Sequence, residues 1–411
     1  MPGLDAREQS LCSMIASRDS AMRRELAEHV AIPTGKSHPP GIERYRALLI
    51  DRLSALGAQI ELVPGDARPA WLDASGQATK ERDQPLPIVV AKRHVHKHSP
   101  RILIAGHMDT VHDPHGSFRE LTVNADGATA VGPGVVDMKG GILVALHALE
   151  ALEAAGIHLN WTFILNSDEE TGSFHSARVL HEQAKQHDVG IAIEPAVGKG
   201  GLAIERMGSG QFMIEVFGQS AHVGRDFEQG VSAVTSLARV LLKLSEMAQP
   251  NEGRIVNVGP LQGGEVTNAV PAYAACWGNV RYANPEAGEV LGQMIDALAT
   301  KGDSLPRIVV HRIWNRPAKP PTPSVQALAD AVKAAAADLN QPIFFTSTGG
   351  VCDGNILQNA GLPTLDTLGV RGGNLHRPDE FIELDSLVER CQLLAVLLAR
   401  LADGRVSLGG T

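Results

Sequence analysis

Three short apolar runs in this chain break directly into metal-ligand side chains, and that limits the possible folds more than any other feature. Arg101-Ile102-Leu103-Ile104-Ala105 leads into Gly106-His107-Met108-Asp109. Trp161-Thr162-Phe163-Ile164-Leu165 leads into Asn166-Ser167-Asp168-Glu169-Glu170, and Ile191-Ala192-Ile193 leads into Glu194-Pro195. Such runs read as strands buried on both faces, the habit of mostly parallel sheets. Ligand sites in these sheets lie at the carboxyl ends of the strands. The chain would therefore deliver one imidazole and several carboxylates to one sheet edge. Asp137-Met138-Lys139-Gly140-Gly141 adds a further carboxylate ahead of an Ala- and Leu-rich helix. A carboxylate-rich, histidine-poor set suits two divalent ions better than one.

Length and composition narrow the class. At 411 residues the chain exceeds the usual size of one domain. With 44% hydrophobic and 20% charged residues it has ample core and no disordered composition. A net charge of −9 argues against nucleic acid, whose phosphates call for a Lys/Arg excess. Cys12, Cys276, Cys352 and Cys391 are scattered and lack CxxC spacing, so neither a disulfide framework nor a cysteine zinc site is expected. Met1 to Glu25 has no long apolar core, and no stretch reaches the ~20 apolar residues of a membrane span. The expectation is a cytoplasmic protein without nucleic-acid or membrane partners.

The pattern divides the chain in three. Up to about Glu205, helical patterns such as Ile42 to Leu56 and Gly141 to Ala155 alternate with strands. From Met207 the texture changes. Gln211 to Phe217, Arg254 to Val258, Ala272 to Tyr282 and Arg307 to His311 read as strands, with helices over Val231 to Met247 and Val290 to Ala299. That order predicts a small α+β insert with an open-faced, ferredoxin-like sheet. The Pro-rich segment Pro317 to Pro323 leads back to helices at Val325 to Leu339 and Leu387 to Leu401. The expected fold is therefore α/β: a catalytic domain from residues 1–206 and 318–411 around a mostly parallel sheet, with an inserted lid domain over 207–317.

Taken singly, these motifs are weak. A lone His-x-Asp is more often a surface pair, and Asp168-Glu169-Glu170 alone is most often a solvated turn. The glycines near Gly134 and Gly141 do not form a P-loop, because GxxxxGK[ST] is absent. His112, His115, His147, His158, His175, His181 and His187 read as surface or helix-packing residues. Lys139 reads as a structural charge, and Glu205-Arg206 as an ion pair beside the hinge.

Together the segments carry more. Gly106 to Val111, Gly132 to Gly141, Asp168 to Ser173 and Ile193-Glu194-Pro195 resemble the M20 family of co-catalytic zinc hydrolases. Gly218 to Gly224 around His222, Thr267-Asn268-Ala269-Val270-Pro271 and Asn279-Val280-Arg281-Tyr282 are similar to that family's lid signatures, and Asn374-Leu375-His376 to its last ligand segment. The likeness covers nearly the whole chain in the family's order. Glu194-Pro195, His222-Val223-Gly224 and Asn315-Arg316-Pro317-Ala318 are most similar to the glutamate-carboxypeptidase type.

The resemblance implies a site. His107, Asp137, Glu170, Glu194 and His376 match metal ligands, with Asp137 bridging two divalent ions, zinc or, by donor type, cobalt or manganese. One ion would take His107 and Glu194, the other Glu170 and His376. Asp109, two residues after His107, would return to the same strand face and receive the ring N–H. Glu169 matches the general base. His222 matches a histidine that reaches the partner's active site in dimeric members, so a homodimer through the lid is implied. Asn268 and Arg281 match residues that hold a substrate's free α-carboxylate. The implied activity is cleavage of an amide next to a free carboxylate, releasing a C-terminal amino acid. Deacylation of N-acyl amino acids of the acetylornithine or succinyl-diaminopimelate type is the same-chemistry alternative. A non-catalytic binding protein on this scaffold is the alternative of another class.

Overall fold

A computed structural model describes residues 3–35, 38–73, 86–96 and 99–406. Its central sheet has six strands in the order Gln59–Val63, Ile88–Arg93, Asn160–Asn166, Arg101–His107, Val189–Ala192, Thr364–Leu365. The last four run parallel, and Ile88–Arg93 runs antiparallel to its neighbours. Every residue of Asn160–Asn166 is buried.

Strand alternation divides the side chains between two faces. Ile102, Ile104, Phe163 and Leu165 join one core with the helices Gly140–Ala154 and Ser386–Ala402. Leu103, Ala105 and Ile164 pack on the other face against Val179, Leu180, Ile356 and Leu357. The result is a helix–sheet–helix sandwich, as the apolar runs predict. Gly141 is required where the first of those helices meets the sheet, since a Cβ there would lie 2.2 Å from Ile193 O.

A second, wholly antiparallel sheet is built from Arg254–Gly263, Tyr273–Tyr282, Gly208–Phe217 and Arg307–Arg316, in that spatial order. With helices Ala233–Met247 and Pro285–Asp296 it makes a strand-helix-strand-strand-helix-strand unit, a ferredoxin-like topology. Both helices lie on one face, over Phe212, Ile214, Val216, Cys276 and Val280. On the opposite face Ser209 pairs with Arg281 and Gln211 with Asn279. Further along that face Met213 and Trp277 pack with Trp71, whose carbonyl accepts the Trp277 indole N–H at 2.6 Å.

Several boundaries differ from the sequence expectation. The helix expected from Val290 begins at Pro285, capped by the Asn284 side chain, which accepts from Ala287 N. The strand expected to stop at His311 runs to Arg316, with a register shift between Ile313 and Arg316. Helices Ala6–Ala16 and Asp19–Val30 were not foreseen; the first opens on a capping box of Asp5 and Glu8. Glu205 and Arg206 do not pair, because consecutive strand residues face opposite ways. Arg206 binds Asp366 through Nε at 2.6 Å and Nη2 at 3.0 Å instead. No helix among the described residues is long and apolar enough to cross a membrane.

Candidate metal centre

Each donor arrives from the end of an ordered segment. His107 is the last residue of its strand and is 1% exposed. Glu169 and Glu170 sit in the turn after Asn160–Asn166, which Ser173 N closes onto Asp168 O at 2.7 Å. Glu194 follows Val189–Ala192. His376 comes from a loop beyond Gly372–Gly373, in the left-handed region at φ 65°.

Asp137 depends on a distant anchor. Gly134 turns the chain at φ 67°, where a Cβ would meet Thr110 at 2.5 Å. The Glu380 carboxylate then accepts from the backbone N–H groups of Gly134 at 3.1 Å, Val136 at 2.9 Å and Asp137 at 3.1 Å. Its Oε2 also lies 2.5 Å from His112 Nε2. His112, read from the sequence as surface or packing, therefore belongs to this anchor. Lys139 is buried and donates to Ile32 O at 2.6 Å.

The five side chains converge. Asp137 Oδ1 lies 3.2 Å from His107 Nε2, while Oδ2 lies 3.6 Å from His376 Nε2. Its two oxygens thus face different imidazoles. His376 Nε2 is also 3.2 Å from Glu170 Oε2. Donor atoms of His107, Asp137 and Glu170 all fall within 4.8 Å of one another, a candidate metal cluster. Glu194 lines the same cavity, about 680 Å³ in volume. The strand ends at His107, so Asp109 lies just beyond it. The His107 Nδ1 is 3.0 Å from Asp109 backbone O and 3.5 Å from its carboxylate. Asp109 Oδ2 also accepts from Glu170 N at 3.0 Å, while the buried Oδ1 faces the His107 ring.

The electrostatics call for added positive charge. Burial, then repulsion from Asp137, holds the Glu194 carboxyl well above its usual range. Burial likewise raises Glu170, and raises Glu169 to about 7 against the pull of Arg316 and His107. Burial works against the charged His107 ring, but hydrogen bonds to Asp109 and Asp137 raise it well above normal. Bonds to Asp137 and Glu170 raise His376 to about 10. Each of these shifts favours the protonated form, and divalent cations at the ligands would oppose it. Among the described residues, Arg316 supplies the only guanidinium or ammonium within 4.0 Å of the carboxylates of Asp109, Asp137, Glu169, Glu170 and Glu194. The donor set fits divalent metal.

The predicted substrate residues divide. Arg281 lines the cavity, half-buried, and its Nη1 has no hydrogen-bond partner. His222 and Asn268 do not line it within one chain. They are exposed and close together, where His222 bridges Ala269 and Asn268 O accepts from Val223 N at 3.2 Å. Glu380, Asp353 and Arg316 carry site geometry and were not singled out by sequence. Only Arg316 had a signal, its place in the Asn315-Arg316-Pro317-Ala318 segment.

Known proteins share this arrangement of sequence and fold. The model described as peptidase family M20/M25/M40 matches residues 103–400. Carboxypeptidase G2 from Pseudomonas sp. (strain RS-16) is 28% identical over 313 residues, covering 74% of this chain and 74% of that protein. Succinyl-diaminopimelate desuccinylase 2 from Shewanella loihica is 28% identical over 327 residues, covering 74% and 85%. A tripeptidase structure from Staphylococcus aureus superposes with a TM-score of 0.73 at 21% identity, covering 94% of this chain and 99% of that one. An M20 family metallo-carboxypeptidase from Sulfolobus solfataricus gives 0.66 at 16% identity, covering 93% and 99%.

Proposed function

The chain belongs to peptidase family M20/M25/M40 and is a hydrolytic enzyme of that metal-dependent family, and we propose that it cleaves an amide next to a free carboxylate, releasing a C-terminal amino acid. The observation that carries this reading is the half-buried Arg281 guanidinium with an unpartnered Nη1, in the same cavity as the acidic cluster. A guanidinium that lines a cavity without a protein hydrogen-bond partner favours a carboxylate ligand.

In this reading His107, Asp137, Glu170, Glu194 and His376 would hold two zinc ions. Bound there, the ions would polarise the scissile carbonyl and make water more acidic. Glu169, whose carboxyl is raised to about 7, takes a proton from the attacking water and passes it to the leaving amine. Arg281 orients the substrate by its carboxylate. Residues 207–317 act as the lid, and His222 and Asn268 reach the active site of a partner copy in a homodimer, which accounts for their distance from the cavity of their own chain. His222 then donates to the developing oxyanion.

The similarity to a desuccinylase at the same 28% identity supports a second reading, in which the scissile amide belongs to an N-acyl amino acid. A hydrolysis screen of dipeptides and N-acyl amino acids with added zinc, read by mass spectrometry, separates the two. Turnover of C-terminally blocked amides as fast as free acids would rule out both.

A further inference from the structure

The turn that carries Glu169 is gripped by an arginine from the lid's last strand. Arg316 Nη1 lies 2.9 Å from Glu169 Oε1, and Nη2 donates to Glu169 backbone O at 2.9 Å and to Ser173 Oγ at 2.5 Å. One guanidinium thus holds both the carboxylate and the backbone of the same residue. Its far side is fixed as well. Asp353 Oδ1 lies 3.7 Å from Nη2 and accepts the Ser173 hydroxyl at 2.5 Å, while Asp353 Oδ2 accepts from Asn166 Nδ2 at 2.5 Å. Arg316 is 2% exposed, and of its nitrogens Nε alone lacks a partner.

The register shift between Ile313 and Arg316 explains how the strand reaches this turn twice. A bulge breaks the alternation of side chains. Consecutive residues then serve the same turn, with Asn315 Nδ2 donating to Gly172 O at 2.9 Å. Arg281 differs: it lines the same cavity and leaves Nη1 unpartnered.

We propose that Arg316 is a positioning residue for Glu169, tying the orientation of the base to the end of the lid's last strand. This rests on the reading of Glu169 as the general base. Arg316 is committed to protein partners on both sides, so it steers the base where Arg281 reads substrate.

The test is a double-mutant cycle on the zinc-loaded enzyme. Arg316→Lys keeps the charge but cannot hold carboxylate, carbonyl and hydroxyl at once. Its kcat should fall on the order of 10–10²-fold, with KM within about threefold and metal content unchanged. Arg316→Gln should fall further. In a Glu169→Gln background the Arg316→Lys change should cost less than about threefold in kcat, because the residue it positions is already disabled. Losses that multiply across the two sites would show that Arg316 acts independently of Glu169 and overturn the proposal. A KM rise of about tenfold with kcat intact would make Arg316 a substrate reader and overturn it too. If Arg316→Lys does not fold, Arg316→Gln carries the same cycle. Glu169→Gln measured alone separates the two claims: near-normal turnover there defeats the base reading itself, whatever Arg316 does.

Discussion

Replacing Glu380 with glutamine should loosen the metal loop from a position that itself touches no proposed ligand side chain. Glu380 is 1% exposed. Its Oε1 accepts from Val136 N and Asp137 N, and its Oε2 faces Gly134 N and His112 Nε2. A glutamine must put an NH₂ on one of these two positions, and each already faces at least one backbone N–H. At least one buried donor is therefore orphaned, at about 1–3 kcal/mol. The bonds that remain lose their charge assistance, roughly 1 kcal/mol each. The sum is about 3–5 kcal/mol. Urea unfolding of chelator-stripped Glu380→Gln and wild type, followed by far-UV circular dichroism, measures this without a contribution from bound metal. Because Asp137 N is one of the anchored groups, zinc affinity should also fall about 10–100-fold, the usual effect of removing an outer support. A loss below about 1 kcal/mol with zinc affinity unchanged would refute the anchoring argument.

Glu169→Gln should lower kcat on the order of 10²–10⁴-fold with metal retained; loss of metal together with activity would move Glu169 into the ligand set. Arg281→Met should raise KM for a free-acid substrate by about 10–100-fold, the worth of a charged hydrogen bond. It should hardly affect a C-terminal amide, and equal effects on both would remove its assigned partner. Glu25 is held at about 2, against an ordinary 4.5, by the His147 hydrogen bond at 2.9 Å and by Arg52. A depressed carboxyl stabilises the fold fully above its ordinary value and loses that contribution as pH falls toward 2. With the side chain 32% exposed, the contribution is about 1–2 kcal/mol after solvent screening. Glu25→Gln should therefore be less stable than wild type at pH 7, with most of that gap gone near pH 2, and an equal gap at both pH values would contradict the linkage. Mixing His222→Ala with Glu169→Gln under subunit exchange should restore part of the activity, since a mixed dimer has one site with both residues intact. No recovery after demonstrated exchange would confine His222 to its own subunit.

What could be read from the sequence follows the range of the interactions. His107, Glu169, Glu170 and Glu194 were legible because each stands at the end of a buried apolar strand, a local signal. His376 has no such strand before it, only a two-residue Gly372–Gly373 strand, and came from resemblance alone. Glu380 was invisible because its contacts to Gly134 span 246 positions and nothing nearby marks it. Arg316 reaches Glu169 O across 147 positions. The lid topology was legible from its strand and helix order, but strand lengths were not. Arg312 interrupts the apolar run at His311, yet the strand continues on backbone pairing to Arg316. Asp109 lies past the strand's last residue, His107, yet its carboxylate still comes within 3.5 Å of the His107 ring.

The proposed function requires that His107, Asp137, Glu170, Glu194 and His376 together hold two ions that act jointly. The direct measurement is a zinc titration of chelator-stripped protein, with bound metal and amide hydrolysis followed on the same samples. Activity that rises to its full value only as binding approaches two zinc per chain is the predicted result. Full activity at one zinc per chain, with no further change on adding a second, would contradict the account.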